Sequence, residues 1–165
     1  MALEAYLLLE GIEGQATDMN HEKWIQLLNY NHSINNETMG VKSAGGAHTG
    51  GQVIHHDVQV VKNIDGTSPQ LSLACCQGLA IPTATIELVR AGGSGTDPVP
   101  YQKIEYTNVV IRAVNPMGDV NAQFPTESVA FTYSTIKWTH TKTGKDGKPQ
   151  GEIVAGWDLE KNTKL

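Results

Sequence analysis

The densest group of side chains with metal-binding chemistry is the triplet His55-His56-Asp57, which lies in a segment with strand character. Successive side chains of a strand point to opposite faces, so His55 and Asp57 share one face and His56 lies on the other. A zinc site needs at least three protein ligands, and no third ligand follows this pair at a useful spacing. The spacing of the triplet therefore does not favour a metal site.

Other groups of reactive residues are equally uninformative. The glycine-rich run 45–51 lacks the Lys-Ser/Thr ending of a P-loop and leads into a strand, which favours an interaction loop over a phosphate site. Cys75 and Cys76 are adjacent, a spacing unsuited to a disulfide framework, so we expect free thiols in a reducing cytoplasm. No spacing singles out an acid–base pair or a nucleophile elbow. We expect neither enzymatic activity nor a cofactor.

Composition narrows the class of protein. The 165 residues suit one domain spanning 1–165, and a formal net charge of −5 argues against a nucleic-acid partner. With 39% hydrophobic and 18% charged residues, the chain is too apolar for intrinsic disorder. No apolar run approaches the roughly 18 residues of a membrane span, so we expect no membrane insertion. The first residues lack a basic region, and we expect no cleavable signal peptide.

Hydrophobic periodicity predicts a mainly β protein. The predicted strands cover residues 3–9, 24–35, 52–61, 83–90, 101–114, 126–139 and 152–159. The period-2 alternation slips by one residue near Leu27-Leu28, near Asn108 and near Ser134, which is typical of β-bulges. Long strands with bulges bend strongly, so the pattern favours a curved β-barrel or sandwich of two sheets.

One short α-helix is predicted at about residues 68–77. Ser68 suits its N-cap, and Pro69 suits the first helical position, where a missing N–H costs nothing. Leu71, Ala74 and Cys75 form an apolar stripe, and Gly78 supplies the C-terminal stop. A helix this short is marginal alone, so it must pack alongside a sheet.

After the slip at Leu28, one face of the strand is polar, small and uncharged. The residues on this face, which we call the polar strip, are Asn29, Asn31, Ser33 and Asn35. By itself, such a face is equally compatible with an ordinary solvent-exposed strand surface.

Six segments together carry a resemblance to a known family. They are the opening strand with Glu-Gly-Ile-Glu-Gly (1–14), residues 21–28, the glycine-rich loop before Gln52, the run Asp-Gly-Thr-Ser-Pro-Gln-Leu-Ser-Leu-Ala-Cys-Cys-Gln-Gly (65–78), Arg-Ala-Gly-Gly (90–93), and Gly-Trp-Asp (156–158) with Asn162. In this order and spacing they resemble the haemolysin-coregulated protein (Hcp) family, the inner-tube subunit of bacterial type VI secretion systems. The resemblance covers essentially the whole chain.

The resemblance implies a fold and an assembly. Family members form a curved β-barrel of two sheets with one helix alongside, and they assemble into hexameric rings that stack into a tube. A contractile sheath on a baseplate ejects the tube, which carries a VgrG-type spike, and the lumen holds small effectors. The implied location is the bacterial cytoplasm before firing, then the extracellular space or a target cell.

This assembly assigns candidate roles to specific residues. The polar strip Asn29, Asn31, Ser33 and Asn35 is the candidate lumen lining. The candidate ring-stacking loop is the segment 38–51, with Met39, Val41, Lys42, Gly45, Gly46, His48 and Gly50. Weaker candidates for the same ring face are Gly92, Gly93 and Glu160. The alternative for the loop is a plain surface loop without a partner.

Two other functions remain compatible with the sequence. The first is a tail-tube protein of a contractile phage-like particle, which a neighbourhood of capsid genes would favour. The second is a small-molecule enzyme, which would need a monomer with a deep pocket.

Overall fold

The computed structural model describes residues 3–37, 52–90, 98–118 and 120–165. In chain order its elements are β1 (Leu3–Leu9), β2 (Ile25–Leu27), β3 (Asn29–Asn31), β4 (Ile34–Asn36), β5 (Val53–His55), β6 (Val58–Asn63), α1 (Ser68–Gln77), β7 (Ala80–Arg90), β8 (Val99–Met117), β9 (Thr126–Thr132), β10 (Thr135–Thr143), β11 (Pro149–Asp158) and β12 (Thr163–Lys164). The predicted class, mainly β with two sheets and one short helix, is confirmed for this part of the chain.

The larger sheet contains ten strands and curls around the core. Its main path is β12-β11-β10-β8-β7-β1-β2, and β8 also pairs with β9, which continues through β6 to β3. Because β2 and β3 are separated only by Leu28, the sheet returns towards its own edge, but it is not closed as a barrel. The second sheet is the β4–β5 hairpin alone. The sandwich-like curvature predicted from the long strands is therefore present.

The predicted single strand over 24–35 is wrong. Three short strands replace it, and each has a different partner: β2 pairs with β1, β3 with β6, and β4 with β5. The change occurs at Leu28, whose N–H donates to the carbonyl of Val61 (2.7 Å). The slip in periodicity reflects a change of partner rather than a bulge within one strand. The strand predicted over 52–61 is likewise divided into β5 and β6.

The irregularities predicted near Asn108 and Ser134 lie opposite each other. Strand β8 pairs with β10 before Asn108 and with β9 after it, and Asn108 itself has a positive φ of 51°. The break between β9 and β10 falls at Tyr133 and Ser134, where the Ser134 N–H donates to the carbonyl of Thr107 (2.9 Å). The register shift in this pair lies at Ile111–Ala113. Strand β8 therefore bends at the same position as the connection between its two partners, β9 and β10.

The helix has the predicted bounds but a different start. Its N-cap is Thr67, and no side chain makes the capping hydrogen bond, so the prediction that Ser68 caps the helix is wrong. Ser68 is its first residue and turns its hydroxyl to Glu127 instead (2.6 Å). Gly78 ends the helix with a φ of 60°, which a residue without Cβ adopts freely. Leu71 and Ala74 are buried, and Cys75 packs partly against the core.

The core lies between the curled sheet and the inner side of α1. Its buried aliphatic and aromatic side chains come from β1, β2, β6, β7, β8, β9, β10 and α1, whereas β11 contributes none. The largest are Tyr106, Phe131, Leu7, Leu9, Ile25, Leu71, Ile86, Ile111 and Ile136. The three tryptophans, Trp24, Trp138 and Trp157, are half-buried, and the latter two pack on this core.

Candidate functional site

The polar strip is exposed along its whole length. Asn29 and Asn31 share one face of β3, since Tyr30 between them points inward and is half-buried. The Ser33 hydroxyl donates to the Asn35 side-chain oxygen (3.2 Å), and the Asn35 amide lies 3.1 Å from His56 Nε2. The strip passes from the ten-stranded sheet to the β4–β5 hairpin, a change that periodicity did not predict. It presents donors and acceptors but no formal charge.

A shallow polar depression lies beside the strip. It has a volume of about 170 Å³ and is lined by Asn31, His32, Ser33, His56, Asp57 and Gln59. Asp57 pairs with Arg112 (3.5 Å), so its charge is largely balanced. A neutral hydrogen-bonding surface of this kind suits contact with hydrated and varied ligands better than tight recognition of one charged group.

The three side chains of the His55-His56-Asp57 triplet have three different partners. His55 turns to Tyr133, His56 to Asn35, and Asp57 to Arg112. Within the described ranges, no three His, Cys, Asp or Glu side chains come close enough to hold a metal ion. The triplet therefore serves local structure.

Most of the predicted ring-stacking residues lie outside the described residues. These are Met39, Val41, Lys42, Gly45, Gly46, His48 and Gly50, together with Gly92 and Gly93 of the other candidate ring face. Glu160 is described and exposed, and it accepts a hydrogen bond from the Ser134 hydroxyl (2.7 Å). The Asn108 amide donates to the same hydroxyl (2.8 Å). Within one chain, Glu160 thus supports the bend between β9 and β10.

Sequence patterns did not reveal a cluster of two histidines and a tyrosine behind the strip. The Tyr133 hydroxyl lies 2.8 Å from His55 Nδ1 and 2.9 Å from His32 Nε2. Burial, together with the neighbouring His55, lowers the pKa of His32, and burial lowers the pKa of His55. Burial raises the pKa of Tyr133. The only signal in the sequence was that His32 shares the inward phase of Tyr30.

A buried ionic cluster ties α1 to the sheet. Lys62 is 1% exposed, and its ammonium donates to Glu127 (2.7 Å), to Asp65 (2.9 Å) and to the carbonyl of Asn63 (2.8 Å). Asp65 also accepts from the Thr67 N–H (2.8 Å) and hydroxyl (2.6 Å). We call Lys62, Asp65, Ser68 and Glu127 the helix-junction cluster. It explains structurally why the Asp-Gly-Thr-Ser-Pro run (65–69) stands at the start of the helix.

Another histidine, His21, is enclosed near the C-terminal end of β7. His21 is buried, and its two ring nitrogens lie 2.7 Å from Asp18 and 2.9 Å from Glu87. The ring stacks on Tyr6 at 4.2 Å between centroids, and Trp24 meets it edge-on at 5.0 Å. The hydrogen bond with His21 lowers the pKa of Asp18. This arrangement holds the segment between β1 and β2 against the sheet.

Two features of the described surface suit contact with further protein. One edge of β11 is open, because β12 pairs only with Trp157 and Asp158 while residues 149–155 are exposed. Large apolar side chains are also exposed on several elements: Leu3, Leu8, Met19, Leu28, Ile34, Ile54, Ile64, Leu73, Leu79, Met117, Val120, Phe124, Ile153, Val154 and Leu165. Open edges and apolar patches are where proteins add strands or subunits.

Comparison with known proteins decides the family. The profile of the family described as "Type VI secretion system effector, Hcp" matches residues 6–140. The chain belongs to the Hcp family. Over 165 residues it is 26% identical to Protein hcp1 of Pseudomonas aeruginosa, and the match covers 99% of this chain and 99% of that protein. It is 27% identical to the Major exported protein of the same organism over 139 residues, covering 81% of this chain and 78% of that one.

Solved Hcp-type structures share the fold. A structure described as a type six secretion system protein superimposes with a TM-score of 0.92 at 26% identity, covering 99% of this chain and 100% of the other. Hcp1 from Salmonella typhimurium gives a TM-score of 0.81 at 26% identity, with 100% of both chains covered. The mainly β architecture of this chain is therefore the Hcp fold. In the described residues, no helix is long and apolar enough to cross a membrane.

Proposed function

We propose that this chain is the structural subunit of a type VI secretion tube, in which six copies form a ring and rings stack into the tube. The observation that carries the proposal is the match of the Hcp family profile over residues 6–140, together with the shared fold. The matching family is described as a type VI secretion system effector and one relative is named a major exported protein, which favours this function over a phage tail tube. The chain acts as one domain, and its role is mechanical rather than catalytic.

The open edge of β11 supports self-assembly. Ile153 and Val154 are consecutive in β11 and are 53% and 52% exposed, so both faces of this strand carry uncovered apolar surface. An edge of this kind is a liability in a monomer, because it pairs with any other strand. A head-to-tail contact that closes a ring covers the edge and the apolar side chains in every copy.

The polar strip supports a role as the channel lining. A lumen that carries different small effectors needs a wetted surface without strong charge, and Asn29, Asn31, Ser33 and Asn35 offer one. The segment 38–51 contacts the adjacent ring in this proposal, and Gly92, Gly93 and Glu160 lie on the same ring face. Other partners are the VgrG-type spike, the sheath and the baseplate, and contraction exports the tube to the extracellular space or a target cell.

Native mass spectrometry and negative-stain imaging of the purified chain test the assembly. We expect a mass of six subunits and an annular particle; a monomer with no annular particles at any concentration contradicts the proposal. Shortening segment 38–51 is expected to leave rings intact and to abolish tubes and secretion. Normal secretion by the shortened chain would refute the stacking role.

The channel face is tested with Asn31→Trp. We expect this variant to form rings and to recover less of a co-expressed small effector of the same secretion system, because the indole fills the lumen surface. Lys145→Trp, at the exposed turn after β10, is the matched control and is expected to retain effector. Loss of the ring itself in Asn31→Trp would instead place Asn31 at a subunit contact.

A further inference from the structure

The β4–β5 hairpin stands apart from the rest of the fold. Its two strands, Ile34–Asn36 and Val53–His55, pair with each other and with no other described strand. None of its residues is buried. An isolated two-stranded hairpin is marginally stable at best in water. The position of this hairpin therefore depends on its short connections to β3 and β6, on the backbone hydrogen bond from the His56 N–H to the Ser33 carbonyl (3.0 Å), and on the few side chains that join it to the ten-stranded sheet.

One hydroxyl group of the main sheet contacts both sides of the hairpin. Tyr133, which follows β9, is only 5% exposed. Its hydroxyl lies 2.9 Å from Nε2 of His32, two residues before β4, and 2.8 Å from Nδ1 of His55, the last residue of β5. These residues are far apart in sequence, so the contact exists only in the folded chain.

The number of protons in this contact is decisive. A tyrosine hydroxyl has one proton, so it donates to one ring nitrogen while its oxygen accepts from the N–H of the other ring. This pattern tolerates a proton on the far nitrogen of the donating ring, but it requires the accepting ring to be neutral. If the accepting ring takes up a proton, both rings become donors, and the buried Tyr133 proton loses its acceptor. If both rings are charged, two cations lie with centroids 6.4 Å apart.

We propose that His32, His55 and Tyr133 are positioning residues that hold the β4–β5 hairpin against the main sheet at neutral pH and release it on acidification. This inference deepens the proposed function, because the hairpin leads directly into the candidate ring-stacking segment 38–51. We call the three residues the hairpin clamp.

The electrostatic surroundings agree with this direction. Burial and the charge of His55 lower the pKa of His32, while burial lowers the pKa of His55. Burial raises the pKa of Tyr133, so its hydroxyl stays protonated throughout the acidic range. A base whose pKa is lowered in the folded state stabilises that state above its ordinary pKa near 6.5 and loses this contribution as pH falls.

No described neighbour compensates a second positive charge at the clamp. His56 adds to the unfavourable charge at His32, although a hydrogen bond to its backbone acts in the opposite direction and is outweighed. Asp57 lines the same depression as His32, but its carboxylate is engaged by Arg112. The remaining groups near Tyr133 are the phenols of Tyr30 and Tyr106.

Hydrogen–deuterium exchange of the full-length chain tests the clamp at pH 7.5 and pH 5.5, with intrinsic exchange rates corrected. We expect the opening equilibrium of amides 34–36 and 53–56 to rise by up to about tenfold per pH unit for each proton taken up. Amides of β8 and β10 serve as the internal reference and are expected to stay protected. Equal hairpin protection at both pH values would overturn the proposal.

Three variants separate the clamp from general loss of structure. Tyr133→Phe keeps the ring and removes the hydroxyl, so its hairpin is expected to exchange fast already at pH 7.5, with no further rise at pH 5.5. His55→Asn offers both a donor and an acceptor near the position of Nδ1 but does not titrate, so the hairpin stays protected at pH 7.5 and the pH dependence falls. His140→Asn, at an exposed histidine of β10, is the control and keeps the wild-type profile.

The outcomes remain informative if one variant or the proposed function fails. If Tyr133→Phe unfolds, the reference amides lose protection, and His55→Asn then carries the test. Wild-type pH dependence in His55→Asn would contradict the clamp. Absence of stacked rings at every pH would contradict the proposed function alone, because the exchange of the hairpin is measured in whatever assembly the chain forms.

Discussion

The helix-junction cluster and the hairpin clamp are both polar contacts behind the sheet, yet they differ in charge and burial. The former pairs a lysine and a glutamate that are 1% and 2% exposed, each with further hydrogen bonds. The latter joins neutral, half-buried histidines through one hydroxyl. A buried charge cannot leave its partner without a large desolvation cost, whereas a neutral histidine changes its charge near physiological pH. The junction is thus permanent, and the clamp responds to conditions.

The largest expected effect is that of Lys62→Met. This change leaves the carboxylate of Glu127 buried without its cation, so we expect the free energy of unfolding to fall by about 3–5 kcal/mol, measured by chemical denaturation. Lys161→Met removes a lysine that is 77% exposed and lies 3.8 Å from Asp158, and is expected to change stability by less than about 1 kcal/mol. Equal losses in the two variants would show that the buried Lys62–Glu127 ion pair is no more important for stability than an exposed one.

Ser68→Ala is expected to cost about 1–2 kcal/mol, because it removes a donor to Glu127 and an acceptor for the Asp65 N–H. Ser72→Ala, at an exposed position of the same helix, is the matched control and is expected to be neutral or slightly stabilising. Both are measured by chemical denaturation. A neutral Ser68→Ala would remove Ser68 from the helix-junction cluster.

The smallest expected effect is that the helix-junction cluster and the hairpin clamp lose their stabilising contributions over different pH ranges. Burial acts to raise the pKa of Asp65, but hydrogen bonds from Thr67 and Lys62 outweigh it and hold that pKa below its ordinary value. A carboxyl group with a lowered pKa stabilises the fold above its ordinary value near 3.8 and loses this contribution as pH falls below it. Between pH 6.5 and 5 we therefore expect α1 to stay protected from hydrogen exchange while the hairpin opens.

The two pH ranges are separable in one titration. Circular dichroism is expected to show α1 and the main sheet unchanged to about pH 4, since local opening of the hairpin leaves the rest of the fold intact. Simultaneous loss of helix and hairpin protection near pH 6 would show that the hairpin clamp and the helix-junction cluster do not respond over different pH ranges.

The elements that local chemistry specifies were predictable. The limits of α1 follow from Pro69 and Gly78, and the buried face of β7 follows from the alternation through Ala84 and Ile86. The Asp146-Gly147 turn was also predictable, because Gly147 has the positive φ of 77° that this residue type favours. The prediction that Ser68 caps the helix is wrong, because the Ser68 hydroxyl donates to a stronger, charged acceptor, Glu127.

The candidate site was predictable only in part. The shared face of Asn29 and Asn31 follows from the two-residue period of β3, but the passage of the strip into a second sheet does not. Alternation reports which face a residue occupies and carries no information on which strand lies beside it. The slip in alternation at Leu28 therefore indicates a bulge, although the structure has a change of partner there.

The amino-acid sequence alone determined the mainly β composition, the helix, the polar strip and the resemblance to the Hcp family, because each follows from neighbouring residues or from an ordered set of motifs. The contact of Lys62 with Glu127 and the contacts of Tyr133 with His32 and His55 depend on the folded arrangement of the strands. Those contacts join residues 65 to 101 positions apart. Long-range contacts of this kind depend on how strands are ordered in the sheet, which local periodicity leaves open.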